Sequence, residues 1–227
     1  MPSRTLTLRA RSVLVGAVVL VLVGAALHAS LGHASTGTVR RPMIHAAAAG
    51  PSIERDGLLV GFAHDPAGAV AAATTYVREG QRVFDLPPAA RVASLRDIAA
   101  RAAADGFAAN ETAQLGRLDQ AAQRGIGPLS WLVTVLATRI DAYTSQRARI
   151  SLWRVGVLSV EGMSSPLAEW ATVDYELVWE AGDWRIWSET QVPGPTPIGD
   201  PNQALTSPSQ WRTDLHGFAR FPGTDPL

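Results

Sequence analysis

The chain of 227 residues contains no cysteine and no lysine. Without thiols it has no disulfide framework, no thiol nucleophile and no Cys-type zinc site. The missing lysine carries no function, because all 20 basic residues being Arg, beside abundant Ala, Gly, Val and Pro, is the usage of a high-GC genome. Histidine is scarce: His28, His33, His45, His64 and His216 are the whole set, and no pair has the i, i+4 spacing of a helical zinc site. Neither a Gly-x-Ser-x-Gly elbow nor a phosphate-cradling Gly loop occurs. No catalytic residue, cofactor or metal is therefore expected. Positive charge is also thin where nucleic acid would need it. Arg4, Arg9, Arg11, Arg40 and Arg41 lie in an acid-free stretch before Pro42, leaving 15 Arg against 20 acidic residues, a net of −5. Phosphate-backbone binding draws its affinity from counterions displaced by positive charge, so nucleic acid is an unlikely partner for this domain.

What is present belongs to a folded chain: 47% hydrophobic and 18% charged residues, at a length suited to one domain of ordinary size. Residues 1–11 read as a basic cytoplasmic tail. An uninterrupted apolar run from Val13 to Leu27 extends with weak interruptions to Leu31, approaching the roughly 20 residues that span a bilayer. Residues 12–31 are thus expected to be a single-pass anchor, with the preceding arginines holding the N-terminus inside and the rest of the chain exported. A signal peptide cleaved near Gly32-His33-Ala34 is the rival reading. Residues 32–57, rich in Gly, Ser, Thr, Pro and Ala, read as a flexible stalk. Residues 58–192 form the extracytoplasmic domain, and 193–227 a Pro/Gly-rich linker with a C-terminal segment.

Asp65-Pro66 starts the first helix, an acid at the N-cap before Pro at the first helical position, which runs to about Glu79. Pro87-Pro88 opens a second, with Val92, Leu95, Ile98, Ala99 and Ala102 on one face, ended by Asp105-Gly106. Asn110 caps a shorter third helix. After Pro128 the apolar period changes from about 3.6 to 2. Strands are expected over 131–143, 149–160, 170–180 and 184–191, with a bulge at Leu152-Trp153 and a hairpin turn at Ala181-Gly182-Asp183. Ser209 to Phe221 reads as a last short helix. The fold class is α+β, three helices packed on a curved four-stranded antiparallel sheet.

The hairpin Val173-Asp174-Tyr175-Glu176-Leu177-Val178-Trp179-Glu180-Ala181-Gly182-Asp183-Trp184-Arg185-Ile186 resembles the terminal hairpin of nuclear transport factor 2-like, cone-shaped domains. Behind an anchor and stalk, it resembles the bitopic assembly subunits of type IV secretion and conjugation systems. The segment from Gly61 to Ala73 is similar to the opening of actinobacterial membrane proteins encoded with conjugation genes. The resemblance covers roughly residues 58–221 through short motifs. It implies a cone fold and a job in protein–protein contact.

Cone folds also host isomerases that use a carboxylate and a tyrosine in an apolar pocket. Asp141, Tyr143, Asp174 and Tyr175 supply the residue types, yet strand alternation points Asp174 and Tyr175 to opposite faces, while Asp141 and Tyr143 share a face beside a turn. His64 beside Asp65 reads as a helix-entry residue. Trp187 shares a strand face with Arg185 rather than Ile186, which makes both candidate interface residues, together with Trp153. Trp211, Leu215 and Phe218 in the C-terminal segment dock either on the domain itself or on a partner. The expected function is a non-enzymatic, membrane-anchored scaffold of a conjugative or type IV-like secretion apparatus, with other secretion subunits and further copies of itself as partners. The alternative is a small-molecule-binding or isomerase-like cone domain exported to the cell envelope, which predicts an apolar pocket with a buried carboxylate. A cleaved domain acting in the cell wall is the third reading.

Overall fold

The computed structural model describes residues 49–123, 128–161, 166–199 and 203–220. The expected anchor lies outside the described residues, and among them no helix is long and apolar enough to cross a membrane.

The first described strands lie inside the segment read as stalk or at its edge. β1 (Ile53–Arg55) and β2 (Leu58–Val60) pair antiparallel about an Asp56-Gly57 turn in which both residues have positive φ, 48° and 81°. Leu58 and Val60 are buried in the core. Strands of three residues are too short to show an alternation, so the turn signal alone could have revealed them.

α1 (Pro66–Arg78) starts as expected, with the Asp65 carboxylate accepting from Gly68 N at 2.7 Å and Pro66 in the first turn. Its Ala69, Ala72 and Ala73 are fully buried, and it packs across the sheet strands that follow. A short α2 (Gly80–Asp85) comes next, ahead of Pro87, which cannot continue a helix. α3 (Pro88–Ile98) is shorter than expected. It stops because Ala99 and Ala100 turn extended to cover a sheet edge, Ala100 N donating to Ile186 O at 2.8 Å. α4 (Ala104–Ala122) passes through Asp105-Gly106, the pair expected to end a helix, and Asn110 is interior to it rather than a cap. Asp105 favours the positive N-terminal end, and nothing crowds Gly106. The Ala-rich flank outweighs one glycine's cost of about 1 kcal/mol.

The meander is present: β3 (Leu129–Tyr143), β4 (Arg147–Val160), β5 (Leu167–Glu180) and β6 (Asp183–Pro193), each antiparallel to the next. The sheet nevertheless has five strands, not four, in the order β6-β5-β4-β3-β7. The C-terminal helix α5 (Pro208–Asp214) is brief. After Gly217, at φ 78°, the chain enters β7 (Ala219–Arg220), which pairs with Ala137 and Thr138. The linker and C-terminal segment therefore return to the domain.

Register shifts decide which side chains face the helices. The bulge expected at Leu152-Trp153 lies instead on the facing strand, between Val135 and Ala137, opposite Arg154 and Trp153. A second shift separates Ile140 from Ala142. A third is on β6: Ile186 pairs with Leu177 and Ser188 with Glu176, leaving Trp187 as the extra residue. Past Trp187 the inward set changes from even to odd numbers, so Glu189 and Gln191 line the helix side as Trp184 and Ile186 do before it.

Asp183 at the β5–β6 turn ties the two ends together. Its buried carboxylate accepts from Gly61 N at 2.8 Å, Phe62 N at 3.0 Å and its own neighbour Trp184 N at 2.9 Å.

Candidate ligand cavity

Between the helices and the inner face of the sheet lies a cavity of about 540 Å³, inside the range of about 300–1,000 Å³ usual for small-molecule sites. Its wall is chiefly apolar, with Val83 from α2, Phe107, Leu115 and Leu118 from α4, and Trp131 and Val133 from β3. Gly80 makes room for Trp131, since a Cβ there would stand 2.8 Å from the indole.

Four groups give this apolar space its chemistry. Glu111 projects from α4, accepts from Gln114 Nε2 at 2.9 Å and keeps part of its surface open to the cavity. Burial first, and the neighbouring Glu189 second, push its carboxyl up to about 8, against a smaller opposing pull from Arg117. Glu189 from β6 is also raised by burial, while the Tyr175 hydroxyl and Arg154 draw it back. Tyr175, wholly inside the core, is raised by burial and by Glu189 and Glu111.

Arg154 from β4 is the fourth, only 4% exposed. Its Nη2 donates to Gln191 Oε1 at 2.6 Å and lies 3.6 Å from Glu169. Its Nε and Nη1 have no partner among the described residues and are sealed from solvent and cavity alike. Gly156 permits this placement, because a Cβ there would come within 2.8 Å of Nη1. Toward the α1–α2 junction, Glu79 is also raised by burial, with Arg82 3.4 Å away opposing the shift.

Of these cavity groups, the sequence singled out Tyr175 and missed Glu111, Glu189 and Arg154. Glu111 interrupts an apolar row, Phe107, Leu115 and Leu118, that is visible only once α4 begins at Ala104. Glu189 was hidden by the Trp187 bulge, since strict alternation from Ile186 turns it outward.

The residues singled out from the sequence lie elsewhere, with one exception. Tyr175 enters the cavity, while Asp174 faces outward as expected and accepts from Ser151 Oγ. Asp141 and Tyr143 do not share a face. The β3 register shift leaves Asp141 on the outer side with Arg139 and Ser151, and Tyr143 inside, 5.9 Å from the Trp184 ring. His64 stacks on Trp179 at 3.9 Å near the helix entry. Arg185 is no exposed interface residue. It is 6% exposed and lies 3.8 Å from Asp97, which also receives Arg55 at 3.4 Å. Trp187 is 38% exposed, under the Arg147 guanidinium at 5.2 Å.

Trp153 is half-buried on the outer face. It donates from Nε1 to Pro195 O at 2.9 Å, stacks on Trp170 at 5.6 Å and meets the edge of Trp211 at 5.1 Å. Phe218 lies 4.6 Å from the Arg139 guanidinium. Trp211 and Phe218 thus dock on the domain itself. Among the described residues no three His, Cys, Asp or Glu gather as a metal site would require.

Fold and cavity define a mixed α+β domain with a mostly antiparallel sheet, helices over one face and a partly open space between them. The chain belongs to the family described as domain of unknown function DUF8175, whose profile matches residues 25–212. That match takes in every group of the cavity and stops short of β7. No curated protein matches the chain. Among solved structures, the crystal structure of the intermembrane space region of chloroplast protein ARC6 is similar at 18% identity. It covers 55% of this chain and 97% of that one, with a TM-score of 0.35.

Proposed function

We propose that the domain binds a small molecule in the cavity between its helices and its sheet, as an exported, cone-shaped module of the nuclear transport factor 2-like kind. One observation carries this reading: carboxylates and a tyrosine are held inside an apolar chamber of about 540 Å³. A fold needing only a packed core would not keep such groups there, since burying an ionisable side chain without a full set of partners is costly. Binding rather than turnover is the reading. The test is titration with Nile red, a neutral apolar dye, against the native chain and a Val133→Trp variant that fills the chamber. The dye's emission should rise with the native chain and stay flat with the variant at an unchanged melting temperature. Equal response from both would refute a ligand chamber.

A second reading is supported by other features. The apolar run from Val13 to Leu27 behind Arg4, Arg9 and Arg11 fits a single-pass anchor, and the half-exposed Trp187 with Arg147 over its ring is the kind of pair that anchors an interface. Together with the hairpin resemblance they support a membrane-anchored assembly subunit of a conjugative or type IV-like secretion apparatus, self-associating and contacting other subunits. In-cell crosslinking followed by mass spectrometry should then recover a coupling ATPase or a channel subunit, and less of it from Trp187→Ala. Recovery of monomer alone would remove this reading.

A further inference from the structure

The polar groups a ligand would meet in the chamber do not balance in charge. Glu111 and Glu189 project from opposite walls, α4 and β6, within electrostatic reach of one another, and both keep surface open to the space. The buried cation in the cavity wall, Arg154, is already engaged: Nη2 is occupied by Gln191 and Glu169, and Nε and Nη1 are sealed. Arg117 on α4 also lines the space, but its side chain is exposed to solvent and sits beside Glu111, whose shift it opposes. An anionic ligand would enter among Glu111, Glu169 and Glu189 with no free donor on Arg154 to receive it. A neutral ligand would leave the carboxylate pair holding a proton in place of a counterion.

We propose that the chamber takes an organic monocation, a protonated amine with an apolar body, its ammonium seated between the Glu111 and Glu189 carboxylates. This rests on the ligand-binding reading above and names the chemistry of the same site. The ammonium donates to carboxylate oxygens on both walls, giving charge-assisted hydrogen bonds in a low-dielectric space. Tyr175 stands beside Glu189 as its cross-strand partner. The apolar body lies along Phe107, Leu115, Leu118 and Trp131, and the two aromatic rings also favour a cation near their faces.

The ammonium replaces a proton. Glu111 is raised to about 8 by burial and by Glu189, so amine binding at neutral pH expels a proton and strengthens as pH rises through that value. The charged or titratable neighbours around the pair are Arg117 on its own helix, Arg154 on β4, Glu169 and Tyr175 on β5, and Glu79 beside α2.

The experiment is calorimetric titration of the full chain with three isosteric probes: cyclohexylmethylamine, cyclohexylmethanol and cyclohexanecarboxylate. The amine should bind about tenfold or more tighter than the alcohol, and the carboxylate weakest. Amine affinity should rise about tenfold between pH 7 and pH 9, with proton release shown by different heats in two buffers. Glu111→Gln and Glu189→Gln should each weaken the amine about tenfold or more, with native-like circular dichroism and melting reporting that the variants fold. Alcohol or carboxylate binding as tight as the amine would overturn the cation while leaving the chamber a binding site. Failure of all three to bind the native chain would overturn the chamber reading itself.

Discussion

Tyr175 and Glu189 are direct cross-strand partners on β5 and β6, and inside the chamber the carboxylate of one raises the phenol of the other. The pairing exists because Trp187 occupies an extra position in β6. Were Trp187 taken into the regular pairing instead, Glu189 would stand on the outer face with Ser188 turned inward.

Deleting Trp187 tests that geometry. Removing the extra residue should leave Ile186, Ser188 and Glu189 opposite Leu177, Glu176 and Tyr175 in simple alternation, with Glu189 and Gln191 still facing the chamber. Arg154 should keep its hydrogen bond to Gln191. We expect a folded chain whose tyrosine titration stays close to the native one. A Tyr175 absorbance that titrates at lower pH would show Glu189 turned out of the chamber and the inward face set by something other than this register.

Glu111→Gln should change how stability depends on pH. The folded-state carboxyl sits at about 8 against an ordinary value of 4.5. Between those values the folded chain keeps a proton that the unfolded chain has released. Stability therefore falls as pH rises across this window and levels off above about 8. Melting temperatures of the glutamine variant between pH 5 and 8 should fall less steeply than those of the native chain, and the variant should be the more stable at pH 8. Parallel curves would place Glu111 in solvent.

Gly68→Ala should be among the most damaging small substitutions. A Cβ at this position would lie 1.9 Å from Ala63 O, the carbonyl that also receives Trp184 Nε1 at 2.9 Å. Backbone must move on both sides of the helix entry, at a cost of about 3 kcal/mol or more by urea unfolding. A gain like that expected of the exposed Gly106→Ala, where no atom is crowded, would contradict this contact.

Trp211→Ala should uncover the outer tryptophans without touching the chamber. Trp153 loses the edge contact at 5.1 Å, so the intrinsic fluorescence should shift to the red, with a stability loss of about 1–2 kcal/mol. Dye binding in the chamber should not change. Loss of dye binding would couple the C-terminal segment to the site.

Local signals were legible in the sequence and tertiary ones were not. Asp65-Pro66 starts a helix wherever it falls, and the period-2 pattern after Pro128 depends only on neighbours along the strand, so α1 and the four-strand meander could be read. Gly106 looked like a stop because propensity counts one residue at a time, whereas α4 is held by the face it presents to the core. The register shifts at Leu136, Asp141 and Trp187 are settled by the partner strand. Each reverses the inward set, which is why Asp141 and Tyr143 were placed together and Glu189 was not seen. β7 has two residues and no pattern to read.

The Asp183 carboxylate joins residues 121 and 122 positions apart in the chain, whereas each meander strand meets its predecessor through a short connection. Contacts of such unequal span separate in time. The meander can assemble early, and the closing of Gly61 and Phe62 onto Asp183 comes after the loop-closure entropy has been met. Removing this carboxylate should then leave the refolding rate nearly unchanged and speed unfolding. The lifetime of the folded chamber, more than the speed at which it forms, would rest on one buried side chain at a hairpin turn.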